Sequence, residues 1–269
     1  MLDKKKYLIT GAAGFVGHHL VKKILDDEEF AVGIDNYHFG RREYLQEFSS
    51  NPNFKMYEGS ITNSELIKKI VHTEKPAVIF HLAALHFIPY CMAHPAETLE
   101  VNLVGTQTLI DSLQDSSVNK FVFISTGDVY KPSNKQHRET DSLEPFNIYG
   151  LSKLMGEQLI NLAEKVCPDI KFNIVRLFNV YGPGETNPHI LPDIINLLKK
   201  GRTLNLGNIT PIRDYILIDD VVEGLLRISN YLGPEKVFNL SGGTPCSVQI
   251  LVEIISQILN EKIEIIIDQ

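Results

Sequence analysis

Tyr149 is the only one of ten tyrosines with a lysine four positions on, Lys153, and Thr126 closes the apolar run KFVFIST upstream of it. On a helix, residues four apart share a face with Cβ atoms about 5–6 Å apart, so phenol and ammonium can act together. A phenol with an ordinary pKa of about 10 is a poor base at neutral pH. An adjacent ammonium would favour the phenolate, which can then take a proton from a substrate hydroxyl. Thr126 can hydrogen-bond the same hydroxyl. An amphipathic helix with a surface Tyr-Lys pair has the same spacing, so the pair needs its context. Asp128, two residues past Thr126, adds a carboxylate that is either a loop residue or an acid-base group.

That context begins at the N-terminus, in TGAAGFVG. Gly11, Gly14 and Gly17 follow an apolar strand and open a helix whose first residues are Phe15 and Val16. The first glycine permits a tight turn, the second lets the backbone approach a pyrophosphate, and the third allows close helix packing; the helix N-terminus adds partial positive charge. Three glycines can also make a plain turn. Asp35 lies 18 residues after Gly17, at the end of the second apolar run, where its carboxylate can accept the adenosine ribose hydroxyls. The same charge repels a 2′-phosphate, which favours NAD over NADP. Arg41 and Arg42 either soften that preference or form a solvated helix face.

The elements that must position these residues alternate along the first part of the chain. KYLIT, FAVGID, AVIFHLAA, KFVFIST and KFNIVRLFNV read as buried parallel strands, apolar on both faces. HHLVKKILDD, NSELIKKIVHT, ETLEVNLVGTQTLIDSLQ and YGLSKLMGEQLINLAEKV read as the helices between them. The expected fold class is α/β: a doubly wound parallel (Rossmann) sheet over residues 1–180, with ligands beyond the carboxyl ends of its strands. After the turn-rich YGPGETNPH the rhythm changes. Residues 181–269 read as a smaller substrate-binding lobe, with the return of some of its elements to the main sheet left open.

Composition narrows the function. The chain has 269 residues, 43% of them hydrophobic, and a formal charge of −7. Its one basic run, Lys4-Lys5-Lys6, precedes a buried strand, so nucleic acid is not an expected partner. Cys91, Cys167 and Cys246 are widely spaced, which fits a reducing compartment and offers no metal-ligand pattern. The N-terminal lysines lead into an apolar strand too short for a signal peptide or membrane span, and a cytoplasmic location is expected.

Together, TGAAGFVG, Asp35, HLAA at His81–Ala84, Asn102, STGDVY, Tyr149-x-x-x-Lys153, RLFNVYGPG and Arg213-Asp214-Tyr215 resemble the extended short-chain dehydrogenase/reductase family, the nucleotide-sugar epimerases and dehydratases. The resemblance implies NAD as cofactor and a nucleotide-diphosphate sugar as substrate. It assigns Tyr149 as base and Lys153 to the nicotinamide ribose. It assigns the cofactor groove to Gly11, Gly14, Phe15, Val16, Gly17, Asp35, Asn36, Ser60, Ile61, Leu82, Ala83, Ala84 and Asn102. Asn179 and Arg213 match positions that bind the substrate diphosphate, although the first can equally form a turn and the second an ion pair with Asp214. His86 either reaches the sugar or simply packs. Ser60 stands where the family usually has Asp, which puts its adenine contact in question. Members usually continue beyond the position of Gln269, so the resemblance implies a truncated C-terminus. It also implies a homodimer through about Ala96–Gln114 and Tyr149–Lys165, with Leu99, Leu103, Leu109, Leu154 and Leu159 able to face either the partner or the sheet.

Related 4,6-dehydratases carry an Asp-Glu pair, or a variant of it, directly after the catalytic Thr. Here Gly127 and Asp128 stand there, and Gly127 has no proton to donate. An epimerase needs only Thr126, Tyr149 and Lys153. Epimerisation, at C4 through a 4-keto sugar, is the expected reaction. Dehydration is the alternative, because LGNITPIRDY resembles GDP-mannose 4,6-dehydratases. A non-enzymatic dinucleotide-binding scaffold is the reading from another class, and such proteins typically lose the tyrosine or the lysine.

Overall fold

In the computed structural model, residues 4–133, 135–185 and 189–267 are described. Six strands, of four to seven residues each, form most of a parallel sheet: β1 (Lys6–Thr10), β2 (Phe30–Asp35), β3 (Phe54–Glu58), β4 (Val78–His81), β5 (Lys120–Thr126) and β6 (Lys171–Leu177), with only β3 partly open to solvent. The chain then forms β7 (Asn179–Tyr181), β8 (Thr203–Leu206), β9 (Ile212–Leu217), β10 (Val237–Leu240), β11 (Pro245–Ser247) and β12 (Glu264–Ile267). Among the described residues the main sheet has the order β10-β6-β5-β4-β1-β2-β3. From β1 the order runs through β2 and β3 on one side and through β4, β5 and β6 on the other. The carboxyl ends of β1 and β4 therefore flank the switch point where such sheets bind ligands.

Helices cover both faces of a core that includes Leu8, Ile79, Phe121 and Phe172. Two helix starts are set by asparagine caps. Asn63 accepts the Leu66 N–H at 3.1 Å, and Asn147 accepts the Gly150 N–H at 2.7 Å. The second cap places Tyr149 in the first turn of the helix Ile148–Val166.

The chain divides into two compact units: residues 1–177 with 219–240, and residues 178–218 with 241–269. The first holds the seven-stranded sheet. In the second, β7 and β9 run parallel, β11 pairs antiparallel with β9, and β12 lies parallel to β8. Its own small core gathers Ile194, Leu204, Leu206, Val248 and Val252.

Three element expectations change. KFNIVRLFNV is two strands, because the chain leaves the main sheet after Leu177 and Asn179 is exposed in β7. AVIFHLAA is a strand only to His81; the following backbone turns to other partners. The third long helix is interrupted by a π turn at Glu100–Val104, which takes up an extra residue and turns Asn102 inward.

Candidate active site

The glycine loop leaves β1 under tight steric control. Gly11 has φ +71°, and a Cβ there would lie 2.9 Å from the Ala83 nitrogen. At Gly17 a Cβ would overlap the Gly11 carbonyl oxygen, so the helix Phe15–Asp26 can begin this close to the loop only with glycine. Gly14 caps that helix without a side chain. The first-turn N–H groups of Phe15, Val16 and Gly17 have no intrahelical acceptor, an arrangement suited to an anion. Asp35, at the end of β2, is held by the Ala13 N–H at 2.9 Å and the Tyr37 N–H at 2.7 Å. Burial raises its pKa, and these two bonds pull it back toward the charged form. Asn36 is exposed and its side chain accepts from the His38 N–H.

The opposite wall carries Leu82, Ala83 and Ala84. Ala83 donates its N–H to Thr10 Oγ1 at 3.0 Å, so this group faces inward and not toward the groove. Asn102, 2% exposed, brackets Leu85: Oδ1 accepts the Leu85 N–H and Nδ2 donates to the Leu85 carbonyl. Ser60 Oγ is engaged with the Thr62 hydroxyl at 2.8 Å. Ile61 is buried with its side chain against Gly105, which leaves its backbone as the part able to meet a ligand.

At the end of β5, Thr126 accepts the Asp128 N–H at 3.2 Å and hydrogen-bonds Tyr149. Gly150 lets the next helix lie against the Gly127–Val129 turn, since a Cβ there would overlap the Asp128 carbonyl oxygen. The Tyr149 pKa is raised, first by burial and then by the charge of Asp128; the bond from Thr126 opposes both. Lys153 is 2% exposed, its ammonium 4.2 Å from the centre of the Phe123 ring. Desolvation lowers its pKa to about 7, against the attraction of Glu157 one turn on. In the protein alone the ammonium does not relieve the phenol as its spacing suggested, because the low-polarity surroundings disfavour charge on both. Glu157 is itself neutralised by Arg176, through bonds of 3.0 and 2.7 Å, and accepts from Ser125 Oγ at 2.6 Å.

The first unit thus brings together Gly11, Gly14, Gly17, Asp35, Ala83 and Asn102 around one groove, and Thr126, Asp128, Tyr149 and Lys153 around one helix start. His86 packs edge-on against Phe39, ring centres 6.0 Å apart. In the second unit Asn179 stands opposite Tyr215 in register, and Arg213 lies two residues before Tyr215, so all three share one sheet face. Arg213 is exposed and donates to the Ile212 carbonyl. Asp214 accepts instead from the N–H groups of Gly242 and Gly243.

A sequence model of the NAD dependent epimerase/dehydratase family matches residues 7–241. The chain belongs to that family. It is 32% identical over 251 residues to a UDP-glucose 4-epimerase of Mycolicibacterium smegmatis, covering 91% of this chain and 79% of that protein. It is 28% identical over 264 residues to the human dTDP-D-glucose 4,6-dehydratase, covering 96% and 75%. A UDP-glucuronic acid 4-epimerase from Bacillus cereus, solved with UDP-glucuronic acid and NAD, superposes with a TM-score of 0.87 at 27% identity, covering 97% of this chain and 85% of that one. The relatives therefore divide between nucleotide-sugar 4-epimerases and 4,6-dehydratases.

NAD is the cofactor of this epimerase/dehydratase family, and the residues here fit it. The glycine loop and a helix start capped without a side chain suit a pyrophosphate, and Asp35 suits a ribose diol. Lys153 has no hydrogen-bond acceptor among the described residues, which suits a second diol. Sequence reasoning gave no role to Thr10, His81, Thr106, Ser152, Glu157 or Arg176. Glu157 carried a usable signal, its helical spacing from Lys153; Thr10 and His81 carried a fainter one, as polar ends of apolar strands.

Proposed function

We propose that the chain is an NAD-dependent nucleotide-sugar epimerase that inverts C4 through a transient 4-keto sugar. The observation that carries this reading is the constellation Thr126, Tyr149 and Lys153 with Gly127 directly after Thr126. A proton acceptor for a hydroxyl is present, while the position next to Thr126 has no side chain to act as an acid for loss of water.

Bound NAD supplies the acceptor and donor of the C4 hydride and a positive charge that favours the Tyr149 phenolate. Thr126 holds the C4 hydroxyl, and Tyr149 takes its proton as the ketone forms. Lys153 binds the nicotinamide ribose and keeps positive charge near Tyr149. Once the keto sugar has turned its other face, Tyr149 returns the proton to the C4 oxygen. The groove residues from Gly11 to Asn102, including Asn36, Ser60, Ile61, Leu82 and Ala84, hold the dinucleotide. On the face shared with Asn179, the Arg213 guanidinium binds the substrate diphosphate through paired hydrogen bonds, and His86 contacts the sugar.

Dehydration is the second reading. It is favoured by Asp128, whose charge acts on Tyr149, and by the likeness to the human dehydratase. UDP-, GDP-, CDP- and dTDP-hexoses incubated with enzyme and NAD separate the two. Unchanged mass with an inverted centre supports the epimerase, and loss of water supports the dehydratase.

The working form is a homodimer in the cytoplasm. Val104, Leu151, Met155 and Leu162 are exposed on the two helices expected to pair, whereas Leu109, one of the expected contacts, is buried in the chain's own core. Sedimentation at micromolar concentration showing only monomer would overturn the dimer. Among the described residues no helix is long and apolar enough to cross a membrane.

A further inference from the structure

The wall of the cofactor groove is joined to the Tyr149 helix by a buried chain of hydrogen bonds whose direction follows from counting hydrogens. Ser152 Oγ donates to the Tyr149 carbonyl at 2.7 Å, so it accepts from Asn102 Nδ2 at 2.9 Å. Thr106 Oγ1 donates to the Asn102 carbonyl at 2.7 Å, which uses its single hydrogen. Its contact of 2.9 Å with His81 Nε2 must then be a bond that it accepts. His81 therefore carries its proton on Nε2, and Nδ1 is left to accept from Thr10 Oγ1 at 2.8 Å. Thr10, its hydrogen used, accepts the Ala83 N–H at 3.0 Å. Reversing the ring would set the Thr106 and Asn102 oxygens lone pair to lone pair and would leave the Thr10 hydrogen without an acceptor.

We infer that His81 is a positioning residue of the reaction. With its proton fixed on Nε2, it locks the end of β1 beneath the glycine loop, the Ala83 wall and the turn that carries Tyr149 into one hydrogen-bonded unit. Thr10 and His81 are direct register partners on β1 and β4, so the link spans the switch point of the sheet. His81 and Thr106 are fully buried, and the imidazole lies against Phe121 and Phe123, ring centres 6.0 and 5.6 Å away. Its surroundings also favour the neutral ring: burial first, and then the charge of Lys153, push its pKa well below the usual value. A neutral imidazole is what the relay requires, since a second ring proton would leave Thr10 facing two donors.

The inference rests on Tyr149 as the base, and its test separates the two claims. Nitrogen-15 NMR of the protein should show His81 as the Nε2–H tautomer, unchanged from pH 5 to pH 8. Thr106→Val removes both hydroxyl bonds at constant shape, and Thr106→Ser keeps them. Val should weaken NAD binding and lower kcat at saturating NAD, each about tenfold, the worth of one well-made buried hydrogen bond. Ser should restore both. A proton on Nδ1, titration of His81 within that range, or equal NAD affinity and kcat in the two variants would overturn the inference. If the tautomer and the NAD affinities follow expectation but wild type turns over no nucleotide sugar, the relay stands and the proposed function falls.

Discussion

Replacing Lys153 by Met should stabilise the free protein at neutral pH and below while abolishing turnover. Lys153 is 2% exposed, and its pKa falls from 10.5 to about 7, mainly through burial. At 1.36 kcal/mol per pKa unit, the buried ammonium carries a penalty of about 5 kcal/mol below pH 7, relative to the neutral amine. Relaxation and lost attraction to Glu157 reduce what methionine can recover, and a net gain of about 2 kcal/mol is expected at pH 6. An unfolded lysine keeps its proton up to about 10.5, whereas the folded one releases it near 7. Between these values the unfolded state binds more protons, so wild-type stability rises with pH. The advantage of Lys153→Met is therefore largest at pH 6, vanishes at about pH 8.5 and reverses above it. Urea unfolding of both proteins at about pH 6, 7.5 and 9 measures it, and NAD should raise the melting temperature of wild type more than that of the variant. A variant less stable than wild type at pH 6, or a stability gap that does not change with pH, would refute the reasoning.

Three further outcomes follow from the same geometry. Gly17→Ala forces a methyl onto the Gly11 carbonyl and should cost about 1–3 kcal/mol of stability, with loss of NAD binding measurable by calorimetry. Arg176→Met leaves Glu157 buried beside Lys153 without its fork of bonds and should destabilise by about 3–5 kcal/mol in chemical denaturation. Asp35→Asn removes a charged acceptor, so the ratio of KM for NADP to that for NAD should fall at least about tenfold.

The sheet was legible because its strands are buried on both faces and read as unbroken apolar runs ended by polar or glycine residues. β1, β2 and β5 match the expected runs from end to end. What could not be read was pairing at a distance. Nothing in KFNIVRLFNV announces that Asn179 takes β9 as partner, since that choice depends on a strand more than thirty residues later. The π turn at Asn102 was hidden for a similar reason: the helix gives up regular bonding to satisfy Leu85, a partner visible only in three dimensions. The site shows the same split. The glycine loop, Asp35 and the Tyr149–Lys153 pair are local patterns and stood out. The His81 relay joins residues from β1, β4 and two helices, and the low polarity around Lys153 is a property of the packed core.

Turnover in deuterium oxide tests the central claim most directly. Inversion through a transient 4-keto sugar exchanges only hydroxyl hydrogens with solvent. After the product is returned to ordinary water, its mass should be unchanged, with no deuterium on carbon, and proton NMR should show only the C4 centre inverted. Tyr149→Phe should bind NAD as wild type does and lose about 10²–10⁴-fold in rate. Deuterium on a ring carbon, or loss of water from the sugar, would contradict the account.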